Sequence, residues 1–390
     1  MRFLKNIHGD KVIWVVVILL SILSILAVYS SIVTLAYKYK AGDTEYYLLK
    51  HSTIILFGLF LMYCTYKIRY DYFSRFAILA VIIAVPLLVL TLFTGSNIHQ
   101  ASRWLEIPVV NLTFQTSDFA KLALIMYVAR TLAIKQDVIK DFRSAFLPIV
   151  IPVLLICGLI LPANFSTTFI LFLTSLMLMF VGRIKIKYIL SLIGIGIFCF
   201  GLFILFIFLF PNVNNRVATW KARIENFTNK ENKGNYQVEQ AKIAIATGGI
   251  MGKGPGKSTQ RNFLPHPYSD FIYAIIIEEY GMMGGIIVIF LYLILLYRAV
   301  RIATRSQKIF GSLLAIGCCF SLVFQAMLNI SVAVNIVPVT GQPLPLVSMG
   351  GTSIWFTSIA IGMVLSVSRE IDKQKQNTSL DVEDVRTKKY

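Results

Sequence analysis

The sequence predicts an all-α polytopic membrane protein with about ten transmembrane helices and a large extracytoplasmic loop between the seventh and eighth. Of its 390 residues, 57% are hydrophobic and only 14% are charged, and the mean hydropathy is +0.73. Soluble domains carry about 25% charged residues, so a soluble enzyme, a disordered chain and a secreted disulfide scaffold are excluded. Each span needs about 20 apolar residues, and the apolar content suffices for roughly ten spans.

Ten apolar runs are the candidate spans, and their lengths are those that helices need to cross a bilayer. They cover residues 12–37, 47–66, 76–95, 115–133, 145–162, 165–182, 187–210, 271–297, 308–334 and 350–368. An even number of spans places both termini on the same side. Basic residues concentrate in the terminal segments and in the short connections that follow even-numbered spans, so the positive-inside rule predicts two cytoplasmic termini.

The chain divides into a predicted membrane domain, residues 1–370, and a tail, residues 371–390, that we expect to be disordered. The outer loop, about residues 211–270, is rich in basic residues, and loops of this length escape the positive-inside rule. Its glycine-rich stretch ends like a phosphate-binding P-loop, but Met251 stands where that motif needs its first glycine. An ATP site is therefore not predicted, although glycine N–H groups and lysines can still hold a phosphate.

A few charged residues interrupt the apolar runs or border them. Asp118 and Lys121 are three residues apart and share a helix face, so they can form a structural ion pair or line a pathway. Glu278 and Glu279 lie about two turns below Asp270, and we expect them to form a helix–helix hydrogen bond or to pair with a loop arginine. Asp270 stands at the outer mouth of the eighth span beside the basic loop, where a carboxylate can reach a hydrophilic substrate. Asp270 is therefore the favoured functional residue.

Three groups of residues, spread over nearly the whole chain, form a recognisable pattern. They are Ser102-Arg103-Trp104 with Gln115-Thr-Ser-Asp118; Tyr236-Gln, Gly248-Gly and Ser269-Asp270-Phe-Ile with Glu278-Glu-Tyr-Gly281; and Pro338, Gly341, Pro343 and Pro345 with Ser348-Met-Gly-Gly-Thr-Ser353. This pattern resembles the SEDS family (shape, elongation, division and sporulation) of cell-wall polymerases, and within it the division branch more than the elongation branch. Asp118, Asn164 and Met349 depart from the Glu, Asp and Tyr that the family usually has.

The resemblance implies a peptidoglycan glycosyltransferase that polymerises lipid II, a lipid-linked disaccharide–peptide, on the outer face. Asp270 is the implied catalytic base, and an inverting displacement is expected. The residues expected to bind substrate are Arg103, Lys121, Arg216, Arg223, Lys253, Lys257, Gly249, Gly252, Gly254, Ser348, Gly350 and Gly351. Supporting roles are expected for Asp118, Glu278, Glu279, Pro338 and Pro345. A divalent cation, Mg²⁺ or Mn²⁺, is a further expectation, with no ligand set assigned.

The implied partners are lipid II, the nascent glycan strand, a class B penicillin-binding transpeptidase, other division proteins and membrane lipids, with no nucleic acid. The implied location is the bacterial cytoplasmic membrane at the division septum. Two other functions stay open at the level of sequence. One is a transporter that flips lipid II across the membrane, and the other is a non-catalytic scaffold for division proteins.

Overall fold

The computed structural model describes residues 8–33, 35, 37, 42–94, 96–98, 101–107, 112–209, 236–265 and 267–387. Its helices are α1 (Lys11–Ser31), α2 (Thr44–Lys67), α3 (Tyr70–Thr94), α4 (Thr116–Ile134), α5 (Leu147–Ile160), α6 (Phe165–Val181), α7 (Ile186–Leu209), α8 (Tyr236–Gly248), α9 (Ile272–Arg305), α10 (Ile309–Ala333) and α11 (Thr352–Thr387). A π-helical turn, Phe142–Phe146, precedes α5, and 3₁₀ turns occupy Gln136–Val138 and Gln260–Asn262.

Every predicted span coincides with one of these helices, and α8 lies in the outer loop. Within the described ranges, seven helical stretches are long and apolar enough to cross a membrane, and α6 and α7 contribute shorter apolar stretches. Helix α4 carries Asp118, Lys121 and Arg130 within its 19 residues and is not among the seven. The chain is a polytopic membrane protein, as predicted, whereas the count of ten spans is not confirmed.

Small residues let the helices approach each other closely at the contact of α2 with α11. A Cβ on Gly362 would lie 2.7 Å from the carbonyl oxygen of Met62, and a Cβ on Gly58 would lie 2.9 Å from Ser358 Oγ. Membrane helices gain little hydrophobic energy from association, so close van der Waals packing at small residues holds them together. Most buried apolar side chains form one large core, which includes the fully buried Tyr292, and a second, smaller cluster includes Phe271.

A three-stranded antiparallel sheet, which the sequence reading missed, connects α3 to α4. Its strands are β1 (Ser96–Ile98), β2 (Ala101–Ile107) and β3 (Leu112–Gln115), in the order β1-β2-β3. Trp104 pairs with Gln115 and Ile107 with Leu112. Short strands are easily overlooked between long apolar runs, because pairing across a turn decides them rather than hydrophobic periodicity.

The helix bundle has two ends. At the site end, which contains Asp270, the Gln115 N–H donates to Thr352 Oγ1 at 3.3 Å. At the opposite end, the Gly9 N–H donates to Asp372 Oδ2 at 2.8 Å and Arg369 donates to the Lys67 carbonyl at 2.9 Å. These contacts show that α4 and α11 begin at the same end and that α11 returns to meet the start of α1.

Helix α9 is broken near the site end. Gly281 has φ 71° and ψ −177°, so the helical path is interrupted there and resumes with the next residue. Helix α11 continues to Thr387 and so enters the segment 371–390 for which disorder is predicted. The division into a membrane domain and a disordered tail stays a prediction.

Candidate active site

Asp270 lies in the turn that leads into α9, and its side chain is half-buried. The Ser269 hydroxyl donates to Asp270 Oδ1 at 3.0 Å. Within the described part of the chain, no lysine or arginine forms an ion pair with this carboxylate. A carboxylate with one hydroxyl donor and a partly exposed face is available to interact with a substrate.

The backbone of this turn is held by residues 338–351, which we call the signature segment. This segment runs without regular structure between α10 and α11. Its Met349 N–H donates to the Tyr268 carbonyl at 2.9 Å, and the Ser348 hydroxyl donates to the Ser269 carbonyl at 2.6 Å. Ser348 Oγ in turn accepts from the Leu344 N–H at 2.8 Å. Ser348, which is predicted to bind substrate, therefore links the signature segment to the turn through its hydroxyl.

Asn329 on α10 provides the third contact to the turn. Its Nδ2 donates to the Asp270 carbonyl at 3.0 Å and to the Gln342 carbonyl at 2.7 Å, and the side chain is buried. The Gln342 side chain donates to Asn164 Oδ1 at 3.2 Å and to Thr167 Oγ1 at 3.1 Å, at the start of α6. Buried amides are costly in an apolar environment unless they are hydrogen-bonded, so this network fixes the relative positions of three segments.

Asn329 and Gln342 are absent from the residues that the sequence reading assigned to the site. The sequence does mark Asn329, because a polar side chain inside an apolar run costs free energy in the membrane and therefore usually has a specific hydrogen-bond partner. Its partner could not be found, because Asn329 and Asp270 are 59 residues apart.

Other predicted residues of the signature segment lie close by. The Pro345 carbonyl accepts from the hydroxyl of the buried Tyr292 on α9. Gly351 has φ 53°, and Gly350 accepts from the Ser353 N–H at 3.1 Å at the start of α11. Pro338 lies in the same segment and makes no hydrogen bond among the described residues. The substrate contacts expected of Gly350 and Gly351 stay predictions.

The glycine-rich stretch of the outer loop, residues 248–261, packs against α9 through two buried glutamates. The Lys253 ammonium forms an ion pair with Glu278 Oε1 at 2.6 Å, and the Thr259 N–H donates to the same oxygen at 3.1 Å. Glu279 accepts from the Ser258 N–H at 3.3 Å and from the Ser30 hydroxyl of α1. The two carboxylates therefore anchor the loop, which is the arrangement that a supporting role requires.

Backbone hydrogen bonds also attach the glycine-rich stretch to α9. The Lys253 N–H donates to the Glu278 carbonyl at 2.9 Å, and the Gly254 N–H donates to the Glu279 carbonyl at 2.9 Å. A Cβ on Gly252 would lie 2.3 Å from the Glu279 carbonyl oxygen, so only glycine fits. The Gly252 N–H donates to the Gly248 carbonyl at 2.8 Å, so the N–H groups of Gly252 and Gly254 are both bonded within the protein. A phosphate contact by these glycines, by Gly249 or by Lys253 stays a prediction.

Asp118 and Lys121 form the ion pair that their spacing allows, with Lys121 Nζ 3.4 Å from Asp118 Oδ1. Lys121 also donates to Gln325 Oε1 at 3.0 Å, and Gln325 Nε2 donates to the Pro343 carbonyl at 3.0 Å. Both charged side chains line a narrow cavity of about 20 Å³ between α4, α10 and α11. The pair is therefore connected through Gln325 to the signature segment and lies inside the bundle.

The remaining cationic candidates are Lys257, Arg103, Arg216 and Arg223. Lys257 is exposed in the glycine-rich stretch. Arg103 lies on β2, but its side chain is outside the part of the chain that the structure describes. Arg216 and Arg223 are outside that part altogether. Nothing is therefore established about where these three guanidinium groups lie.

The described residues contain no group of three or more His, Cys, Asp or Glu side chains that could hold a metal ion. Asp270 alone offers one carboxylate at the turn. Mg²⁺ is commonly held by one or two carboxylates together with substrate phosphates and water, so a single aspartate fits that mode. A divalent cation stays a prediction, with no ligand set assigned.

Comparisons with known proteins give a consistent result. The family model described as "Cell cycle protein", FtsW/RodA/SpoVE, matches residues 10–373. The chain is 32% identical over 366 residues to a probable peptidoglycan glycosyltransferase FtsW of Trichlorobacter lovleyi, covering 92% of this chain and 93% of that protein. It is 30% identical over 371 residues to the stage V sporulation protein E of Bacillus subtilis, covering 94% and 98%.

Two solved structures share the fold. A chain of a peptidoglycan synthase complex, described as coordinating polymerization and crosslinking, aligns with a TM-score of 0.72 at 23% identity, covering 93% of this chain and 98% of that chain. The rod shape determining protein RodA of Thermus thermophilus aligns with a TM-score of 0.68 at 22% identity, covering 94% and 98%. Since the family model spans almost the entire chain, this protein belongs to the FtsW/RodA/SpoVE family, the SEDS family that its sequence motifs predict.

Proposed function

We propose that this protein is a glycosyltransferase that polymerises lipid II into peptidoglycan glycan strands, with Asp270 as general base. One observation carries the proposal. The backbone of residues 268–270 is fixed by Met349, Ser348 and Asn329, whereas the Asp270 carboxylate keeps a partly exposed face. A rigid backbone beneath an available carboxylate is what a positioned acid–base group requires.

In the proposed reaction, a sugar hydroxyl of the acceptor attacks the anomeric carbon of the donor. The hydroxyl proton passes to the Asp270 carboxylate as the new glycosidic C–O bond forms. The bond from the anomeric carbon to the lipid pyrophosphate breaks, and the pyrophosphate leaves with the bonding electrons. A single displacement inverts the configuration at that carbon. Cationic groups at the site end would offset the charge that develops on the leaving group.

The comparisons support the reaction class through names alone. Several relatives carry the name of probable peptidoglycan glycosyltransferase, and one structural neighbour belongs to a complex described by polymerization and crosslinking. We extend these to this chain as proposals: lipid II as substrate, a class B penicillin-binding transpeptidase as the crosslinking partner, and a place in the division septum with other division proteins.

The proposed orientation puts both termini in the cytoplasm and Asp270 on the outer face. The opposite end of the bundle carries the basic clusters around Lys67 and Arg69, Arg298 to Lys308 and Arg369, which the positive-inside rule assigns to the cytoplasm. Lipid-linked substrate would therefore meet Asp270 on the side where the cell wall is built.

The decisive experiment uses the purified full-length protein in liposomes that contain lipid II. Asp270→Asn should remove glycan polymerisation while the midpoint of thermal unfolding stays within a degree or two. Glu45→Gln is the matched control, since Glu45 is an exposed carboxylate at the site end and its loss removes the same charge. It should polymerise normally.

The same preparation separates the two other functions. Retained polymerisation by Asp270→Asn would overturn the assignment of the base. Movement of fluorescent lipid II across the bilayer, without polymer from either protein, would favour a flippase. Normal growth of cells whose only copy carries Asp270→Asn would favour a non-catalytic scaffold.

A further inference from the structure

A polar cavity lies at the end of the bundle opposite the candidate active site. Its volume is about 270 Å³, and it is formed where the start of α1, the end of α9 and α11 meet. Water occupies about 30 Å³ per molecule in the liquid, so this space would admit about nine waters or a phosphate group with part of its hydration shell. The charged residues that line it are Asp10, Lys11, Arg298, Arg301, Arg305 and Asp372.

The two acidic residues of this cavity are already engaged. Arg298 binds Asp10 Oδ2 through Nε and Nη2, both at 2.6 Å, and Asp10 Oδ1 caps the start of α1. Asp372 Oδ2 accepts the Gly9 N–H at 2.8 Å. Arg298 therefore neutralises Asp10, whereas Asp372 keeps its charge, and the four basic and two acidic residues that line the cavity leave it with an excess of positive charge.

Three of the four basic residues that line the cavity have no ion-pair partner among the described residues. Lys11, Arg301 and Arg305 have no carboxylate within 4 Å in the part of the chain that the structure describes. Arg301 is half-buried and rests against the ring of Tyr297, which leaves its guanidinium edge available for hydrogen bonds. Arginine forms paired, parallel hydrogen bonds with phosphate oxygens, so two arginines and a lysine around one cavity favour a phosphate ligand.

The cavity also adjoins surface that faces lipid. Val12 on α1 and Val300 on α9 are exposed at this end, and Val15 and Tyr297 continue the two apolar surfaces toward the middle of the membrane. A ligand whose phosphate lay among the arginines would have its acyl chains beside these side chains. Basic pockets between transmembrane helices at the cytoplasmic surface recognise lipid headgroups in this manner.

We propose that this cavity is a binding site for the phosphate headgroup of an anionic phospholipid. Arg301 and Arg305 hold the phosphate, Lys11 adds charge, and the Asp10–Arg298 and Gly9–Asp372 contacts keep the cavity open. Occupation would tie α1, α9 and α11 together at the end opposite Asp270. Lipid binding at this cavity does not depend on the reaction proposed for Asp270.

The test uses full-length protein in nanodiscs of phosphatidylcholine into which dioleoylphosphatidylglycerol is titrated, with retained lipid counted by native mass spectrometry. The double variant Arg301→Gln, Arg305→Gln should bind the anionic lipid more weakly by roughly fivefold for each charge removed. The matched control is Lys140→Gln, Arg143→Gln, since both residues are exposed in the α4–α5 connection outside the cavity. The control should bind as the parent protein does.

Two further arms make the result decisive. In phosphatidylcholine alone, the cavity variant should unfold at the same temperature as the parent protein. If the glutamines disturb folding, the double variant Arg301→Lys, Arg305→Lys replaces it, and this variant should retain part of the lipid binding. Equal loss of lipid by the cavity and control variants would overturn the proposal. The midpoint of thermal unfolding is also measured with the anionic lipid, with sn-glycerol 3-phosphate and with inorganic phosphate. An equal rise with a soluble phosphate would identify that phosphate as the ligand and overturn the lipid assignment.

Discussion

The side-chain nitrogen of Asn329 donates to the Asp270 carbonyl at 3.0 Å and also to the Gln342 carbonyl at 2.7 Å. One amide on α10 thereby joins the turn that carries the candidate base to the signature segment. This contact passes through the backbone of Asp270 and leaves the carboxylate untouched. Asn329 is therefore in a position to set where the carboxylate lies without touching a substrate.

We expect Asn329→Ala to slow polymerisation by about 10- to 100-fold, because small displacements of a catalytic group have effects of that size. The free energy of unfolding should fall by about 1–3 kcal/mol, since two buried carbonyls lose a donor. The rate is measured on lipid II, and stability from thermal unfolding in the same detergent. Asn262→Ala is the control, because Asn262 is exposed. An unchanged rate for Asn329→Ala would show that the contact does not position Asp270.

Ser348 gives a second prediction, because its hydroxyl both donates to the Ser269 carbonyl and accepts from the Leu344 N–H. Ser348→Ala should lower the free energy of unfolding by about 1–2 kcal/mol and reduce kcat for polymerisation. Ser306→Ala, which removes a hydroxyl from an exposed turn, is the control. A raised KM for lipid II with unchanged stability would instead support the substrate contact that the sequence motif implies.

Substitutions in the Lys253–Glu278 ion pair distinguish two roles for Lys253, anchoring of the loop and binding of substrate. Glu278 is fully buried, so Lys253→Met would leave a buried carboxylate without its cation and cost about 3 kcal/mol. Adding Glu278→Gln should recover part of that loss, because the unpaired charge disappears. Lys257→Met, at an exposed lysine nearby, should leave stability unchanged. Loss of polymerisation in Lys253→Met with no change in thermal unfolding would show that its charge serves the substrate.

The break in α9 gives a prediction about stability alone. Gly281 has φ 71°, and a Cβ there would lie 2.1 Å from the Ile250 carbonyl oxygen. Gly281→Ala should therefore destabilise the protein by about 3 kcal/mol or more, through backbone strain and displacement of the glycine-rich stretch. Gly158→Ala is the control, because open space surrounds a Cβ at that helical position. Equal thermal unfolding of the two variants would contradict this explanation of the break.

The sequence predicts the positions of the helices better than it predicts the contacts of the candidate site. The positions of the helices follow from apolar runs, because a membrane leaves the backbone no other way to satisfy its hydrogen bonds along a single segment. The β1-β2-β3 sheet was missed, because its strands are three to seven residues long and are decided by pairing with each other. Asp270 was singled out by its place at a span end, and the family motifs agree with it.

The contacts around Asp270 could not be foreseen in the same way. Glycines near the outer loop suggested a cradle for phosphate, whereas Gly252 and Gly281 permit the loop backbone to touch the backbone of α9. Lys253 suggested a partner for a pyrophosphate, and in the structure it is paired with Glu278. Residue type and spacing identify a group capable of a contact, but they do not state which of several possible partners lies within reach.

The sequence by itself determined that this protein is a helical membrane protein of the SEDS family. Those properties depend on the length of apolar runs and on local motifs, both of which can be read along the chain. Only the tertiary structure decided that Asn329 and Ser348 hold the turn of Asp270 and that Gly9 meets Asp372, 363 residues away. Such contacts depend on how helices distant in sequence pack against each other, and each hydrogen bond has a reach of about 3 Å.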